Sequence, residues 1–154
     1  MTRSRGPLST PRRLGVLAIL LLAVLAVVLF FHVPRRLDRI ADLTGPAQAG
    51  QATLTRSGGP EYDASRAVTA DAAPILAILR TARVDLCNPA RGGSGTMAGT
   101  DEGFFEVHIG TLHLLLAQQG NVRVTQGDRD GYYRILEPER TALWEALCAA
   151  YDAG

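Results

Sequence analysis

The sequence predicts an α+β protein, in which an N-terminal transmembrane helix precedes an antiparallel β-meander with two helices packed on one face. Three observations lead to this fold class. Residues 14–34 carry no permanently charged side chain. Apolar and polar residues alternate with a period of two over most of residues 104–136, which indicates short strands. Stretches with helical periodicity flank these strands, as expected for helices that cover one face of a sheet.

The apolar segment 14–34 has 21 residues, almost all of them Leu, Val, Ala, Ile or Phe. As a helix it would extend about 30 Å, the thickness of the hydrocarbon core of a bilayer. A cleaved signal peptide is the alternative, but its apolar region normally has about 7–15 residues with small residues close behind. Here bulky Phe30 and Phe31 stand in that place. We therefore expect an uncleaved signal anchor and a single-pass protein of the cell membrane.

Basic residues flank this segment on both sides. The tail, residues 1–13, contains four arginines and no acidic residue, and three arginines follow the segment closely. The positive-inside rule counts basic residues near the span and so favours a cytoplasmic N-terminus. The C-terminal domain is then expected to be extracytoplasmic.

Residues 35–50 are predicted to form a juxtamembrane linker, with the soluble α+β domain at 51–154. Leu37, Ile40 and Leu43 form a short apolar stripe that would lie on the membrane surface, and Gly45 begins the turn that ends it. An ordinary linker is the alternative interpretation of this segment.

The first part of the domain contains a strand pair and a helix. Residues 51–56 indicate a strand, residues 57–60 a turn, and residues 64–68 the returning partner strand. A helix is expected to begin near Asp71 as N-cap, with Pro74 in its first turn. Its core face is formed by Ile75, Ile78, Leu79 and Ala82.

The second part follows a loop rich in Gly, Ser and Thr, residues 88–103. Four strands are predicted, at 104–109, 112–118, 122–126 and 132–136. The short connections between them predict an antiparallel meander. Pro138 opens a last helix. Its buried stripe comprises Trp144, Leu147, Cys148 and Tyr151.

One stretch of the domain carries a resemblance. The segment 68–71, leading into the apolar run 75–79 and followed by hairpins and a Tyr-rich strand, resembles small membrane-anchored bacterial ectodomains of unassigned function. The resemblance spans residues 50–137 and depends on pattern. It implies a surface-exposed accessory domain, and it implies no catalytic residues.

The composition excludes several classes of function. All sixteen basic residues are Arg, so a Walker-type phosphate loop, a Schiff-base enzyme and a kinase of the usual design are excluded. From residue 50 onward, nine Arg stand against thirteen acidic residues. Nucleic-acid binding needs clustered positive charge, so we expect no nucleic-acid partner.

Cys87 and Cys148 are the two cysteines of the chain. Cys87 follows the first predicted helix of the domain and Cys148 lies on the core face of the last, so they would meet if these helices are adjacent. In an oxidising compartment a disulfide would close a loop of about 60 residues and contribute roughly 4 kcal/mol. Two separate buried thiols are the alternative.

The most suggestive polar residues are His108 and His113. If Gly110 and Thr111 form a two-residue turn, the two histidines pair across a hairpin with their rings on one face, and Glu106 lies one step along that face. Two imidazoles and a carboxylate are suitable ligands for Zn²⁺ or Cu²⁺. Surface histidines without a ligand are the alternative.

A Ser-based hydrolase is the remaining candidate. Ser94 lies between glycines, but residues 93–95 do not form the Gly-x-Ser-x-Gly elbow. We therefore expect a non-catalytic, membrane-tethered extracytoplasmic module that binds or senses a ligand. The lipid bilayer contacts residues 14–34, and a further partner is expected to be another envelope protein or a second copy of the chain. The alternatives are a metal-binding envelope protein and a small hydrolase.

Overall fold

The computed structural model describes residues 10–57, 66–86 and 103–154. The chain divides into two compact units, Met1–Val33 and Pro34–Gly154. The first contains helix α1 (Thr10–His32), and every residue from Leu14 to Phe30 is exposed. Among the described residues, no helix combines the length and hydropathy that crossing a membrane requires.

The second unit confirms the α+β class and the antiparallel sheet. Among the described residues it contains eight strands and three helices, so that the described chain has four helices in total. The strands are β1 (Arg35–Arg36), β2 (Gln51–Ser57), β3 (Ala67–Asp71), β4 (Arg83–Leu86), β5 (Phe104–Ile109), β6 (Leu112–Ala117), β7 (Asn121–Gln126) and β8 (Arg129–Ile135). The helices are α2 (Thr44–Ala49), α3 (Ala72–Thr81) and α4 (Glu139–Ala153).

The strands form one sheet in the order β1-β4-β8-β7-β6-β5-β2-β3, and every neighbouring pair is antiparallel. The four strands β5 to β8 follow one another in space as in sequence, which confirms the predicted meander. The strand after β2 also pairs with it as predicted, although it begins at Ala67. Two strands, β1 and β4, extend the sheet beyond the predicted ones.

The sheet has to be strongly curved. Strands β3 and β4 are six positions apart in the sheet, which would separate them by about 29 Å if the sheet were flat. Helix α3 alone joins them, from Asp71 to Arg83, and this connection extends only about 20 Å. The sheet therefore bends around the core, and α3 crosses its open side.

The core lies on one face of the sheet, called here the inner face. The six inward positions of the β5–β6 hairpin are all buried, as the alternation predicted: Phe105, Val107, Ile109, Leu112, Leu114 and Leu116. Helix α4 packs on this face. The Phe105 ring contacts Trp144 and Tyr151 edge to face, with centroids 5.1 and 5.8 Å apart.

The helix boundaries agree closely with the sequence signals. Asp71 caps α3, and its carboxylate accepts a hydrogen bond of 2.9 Å from the amide of Ala73. In α4, Leu147 and Tyr151 are buried as predicted, and Trp144 and Cys148 are partly buried against the core.

Residues 35–50 differ from the linker that the sequence predicted. Leu37, Ala41 and Leu43 are between 0 and 5% exposed and belong to the core. The Leu37 amide donates to Ala82 O at 2.9 Å, and Gln126 exchanges two hydrogen bonds with the backbone of Asp42. The compact unit thus begins at Pro34 instead of residue 51, because these partners come from strands and helices far along the chain.

This packing gives a first prediction. Leu37→Ala is expected to lower the free energy of unfolding by about 2–5 kcal/mol, because it removes a fully buried side chain. Arg39, an exposed residue close to Leu37 in the sequence, provides the control. Arg39→Ala should change the free energy of unfolding by no more than about 0.5 kcal/mol. Urea denaturation of the detergent-solubilised chain, followed by Trp144 fluorescence, measures both. Equal stability of the two variants would mean that residues 35–50 behave as a linker.

Candidate metal-binding site

The β5–β6 hairpin has the turn and the register that the sequence predicted. Gly110 and Thr111 form the two-residue connection, and His108 pairs directly with His113. Gly110 has a φ of +57°, a left-handed conformation that side chains rarely adopt. The glycine therefore sets the register that brings the two histidines together.

The two imidazoles converge on one carboxylate. Their rings stack with centroids 4.1 Å apart and planes 8° from parallel. The Nε2 atoms of His108 and His113 lie 3.1 and 2.9 Å from the same oxygen, Oε1 of Glu106. One ligand atom of each residue lies within 4.8 Å of the others. The structure thus brings together all three residues of the predicted metal site.

The cluster lies on the outer face, the face of the sheet opposite the core. The side chains of His108, Glu106 and His113 are 50, 36 and 30% exposed. An ion can therefore reach the ligand atoms from solvent without any opening of the fold. Water can occupy the remaining coordination positions.

The spacing of the ligand atoms is close to that of a coordinated ion. In a tetrahedral zinc site, metal–ligand distances near 2.0–2.1 Å place neighbouring ligand atoms about 3.3 Å apart. The two nitrogen–oxygen distances in the cluster are already 2.9 and 3.1 Å. Because an imidazole nitrogen coordinates an ion in the plane of its ring, the two stacked rings would have to tilt out of their nearly parallel arrangement before both could hold the same ion. Each ring would have to carry its proton on Nδ1, so that the Nε2 lone pair faces the metal.

No known protein family, curated protein or solved structure matches the chain. The geometry of Glu106, His108 and His113 is therefore the observation from which a function can be inferred.

A second polar network borders the cluster. Arg123 donates two hydrogen bonds, of 2.9 and 2.8 Å, to the two carboxylate oxygens of Asp130. Thr125, which pairs with His113 across β6 and β7, donates a third at 3.1 Å. These bonds, that of Arg123 above all, hold the pKa of the Asp130 carboxyl below its usual value. Asp130 lies two strands from His113, about 10 Å away, so it is not a fourth ligand in this arrangement.

The predicted disulfide involves one cysteine that the structure describes and one that it does not. Cys148 carries a free, half-buried thiol on α4, and Cys87 lies outside the described residues. Burial raises the pKa of the Cys148 thiol, and the nearby positive charge of Arg56 opposes this only in part. The disulfide between Cys87 and Cys148 stays a prediction.

Arg56 is a residue that the sequence analysis missed. Its guanidinium lies on the inner face beside the Phe105–Trp144 pair, 5.2 and 5.5 Å from the two ring centroids. Its Nη1 donates to the sulfur of Cys148 at 3.9 Å. The signal was present in the sequence, because Arg56 follows Ala52 and Leu54 in the inward series of β2. Contact with the two aromatic rings offsets part of the cost of burying its charge.

Two surface depressions lie away from the histidine cluster. One of about 320 Å³ lies beside Gln118, Arg140 and Trp144, and another of similar volume beside Ile40 and the β7–β8 turn. Among their described lining residues there is no serine or cysteine and no member of the histidine cluster. The hydrolase candidate Ser94 and the loop residues 88–102 lie outside the described residues.

Proposed function

We propose that the chain is a membrane-tethered domain that binds a divalent transition-metal ion, Zn²⁺ or Cu²⁺, through Glu106, His108 and His113. The observation that carries the proposal is the convergence of three metal-ligating side chains on one exposed face of a sheet, with their ligand atoms within 4.8 Å.

The scaffold supports metal binding over an accidental contact of surface histidines. The two histidines and Glu106 come from the paired strands β5 and β6, whose backbones are fixed by the ladder between them. The opposite faces of these strands are anchored in the core by fully buried residues. Sites built on such rigid elements lose little conformational freedom when the ligand binds.

The number of ligands favours an exchangeable ion. Structural zinc sites are closed by four protein ligands, whereas sites with three keep an open position. The cluster offers three and is reached by solvent. Reversible binding suits a module that senses, stores or delivers an ion, which agrees with the binding or sensing role expected from the sequence.

The tether rests on a different observation. Although no described helix meets the requirement for crossing a membrane, the sequence span 14–34 has 21 residues without a permanent charge. The large apolar side chains of α1 from Leu14 to Phe30 are between 46 and 69% exposed. Exposed apolar surface on this scale is unfavourable in water and is typical of a lipid contact. The domain would then function close to other membrane components.

Histidine side-chain NMR tests the metal site directly. The full-length, ¹⁵N-labelled protein in detergent micelles is titrated with Zn²⁺, and the imidazole nitrogen resonances are followed. The chain has three histidines, so His32 is an internal control outside the cluster. We expect the Nε2 resonances of His108 and His113 to shift together and to saturate at one ion per chain, while His32 is unaffected. Equal, non-saturating shifts of all three would refute the site.

A further inference from the structure

The folded domain follows the apolar segment directly in the sequence. The compact unit begins at Pro34, the last residue of the uncharged stretch. β1 starts at the next residue and pairs with β4, so that Arg35 lies opposite Val84 and Arg36 opposite Arg83. Buried Leu37 follows at once. The surface around β1 is therefore held close to the point where the chain enters the domain.

Five arginines surround this point, and we call them the entry cluster. They are Arg35, Arg36, Arg39, Arg80 and Arg83. The guanidinium of Arg36 donates to the Arg80 carbonyl at 2.9 Å, and Arg36 and Arg83 are direct cross-strand partners. Apart from half-buried Arg35, all are exposed.

The cluster is a local excess of positive charge in an acidic domain. Residues 34–154 contain twelve Arg and fifteen acidic residues, a net charge of −3. In the cluster, Arg36 forms an ion pair with Asp38 at 2.8 Å. Glu137, near Arg83, is paired with Arg140. The guanidinium of Arg83 donates to the Glu137 carbonyl at 3.1 Å, a neutral acceptor that orients the group without compensating its charge.

We propose that the entry cluster binds the phosphates of anionic phospholipids and thereby holds the domain against the bilayer surface. The proposal rests on the membrane tether described under the proposed function. Guanidinium groups bind phosphate oxygens with two parallel hydrogen bonds. Attraction to an anionic leaflet decays over a Debye length of about 8–10 Å. A cluster that begins one residue after the apolar segment lies within that distance, while the acidic remainder of the domain is repelled.

Paramagnetic relaxation by headgroup-labelled lipid tests the proposal. The full-length protein is reconstituted in nanodiscs of phosphatidylcholine alone or mixed with phosphatidylglycerol, each containing a lipid with a nitroxide on its headgroup. We expect relaxation of the amides of Arg39 and Arg83 to rise at least twofold with phosphatidylglycerol and to return to the phosphatidylcholine value at high salt. Equal relaxation in the two lipid compositions overturns the proposal.

Two matched variants separate the cluster from general charge effects. Arg39→Gln/Arg80→Gln should abolish the dependence on phosphatidylglycerol, because it removes two exposed cluster charges. Arg129→Gln/Arg134→Gln removes two exposed charges outside the cluster. This variant should keep the dependence of relaxation on phosphatidylglycerol. An identical response of both variants contradicts specific binding.

The same experiment distinguishes failure of this proposal from failure of the tether. If the tether exists but the cluster does not bind lipid, amides of α1 relax strongly in both lipid compositions while those of Arg39 and Arg83 show no difference. If α1 does not enter the bilayer, the protein fails to incorporate and no residue relaxes, which overturns both proposals.

Discussion

His113→Ala is expected to lower the affinity of the full-length protein for Zn²⁺ about 100-fold or more. The cluster offers three ligands, so the substitution removes a third of the coordination supplied by the protein. Loss of a group that merely orients a ligand already costs about 10–100-fold in affinity, and loss of a direct ligand should cost at least as much. Isothermal titration calorimetry in detergent micelles gives the affinity and the stoichiometry.

The controls for this prediction are available in the same chain. Thr125→Ala removes the side chain that pairs with His113 across the strands and should leave the affinity within a few-fold of the original. His108→Ala/His113→Ala should abolish measurable binding. Because both rings project from the outer face, the variants should remain folded, with stability changes of about 0.5 kcal/mol or less. Unchanged heats of binding in the double variant would exclude the site.

From the proposed tether, we expect two arginines in the centre of α1 to move the protein from the membrane to the aqueous fraction. The span 14–34 contains fifteen Leu, Ile, Val and Phe residues. At about −0.4 kcal/mol each they favour insertion by about 6 kcal/mol, and each central Arg opposes it by about 3 kcal/mol. Leu22→Arg alone should therefore leave the protein in the membrane. Leu22→Arg/Val24→Arg brings the free energy of insertion slightly above zero, so that insertion is no longer favoured.

Fractionation after alkaline carbonate extraction measures this partition. The matched control is Leu22→Ala/Val24→Ala, which alters the same positions without adding charge and should stay in the membrane pellet. Intact mass of the original protein is determined in parallel, because a signal peptide would be cleaved and an anchor would not. A protein that is recovered from the aqueous fraction without its first forty-odd residues would contradict the tether.

Most of the candidate site could be predicted from sequence because it depends on local structure. A two-residue turn with glycine sets the register of a hairpin, and side chains in strands alternate strictly between faces. From these two rules the pairing of His108 with His113 and the buried face of Phe105 follow, and the structure has both. The stacking of the rings and their shared contact with one oxygen of Glu106 required side-chain positions. The membrane span and the disulfide stay predictions.

By itself the sequence determined the features that short-range rules govern, namely the meander, the Asp71 cap, the core stripe of the last helix and the residues of the candidate metal site. Only the tertiary structure decided the remainder. It incorporated residues 35–50 into the domain, added β1 and β4 to the sheet, curved the sheet around the core and buried Arg56 beside two aromatic rings. Each of these depends on partners more than forty residues away, such as Ala82 for Leu37 and Gln126 for Asp42. The periodicity of a local segment cannot predict such contacts, because they form, and stabilise the protein, only after the distant elements have packed together.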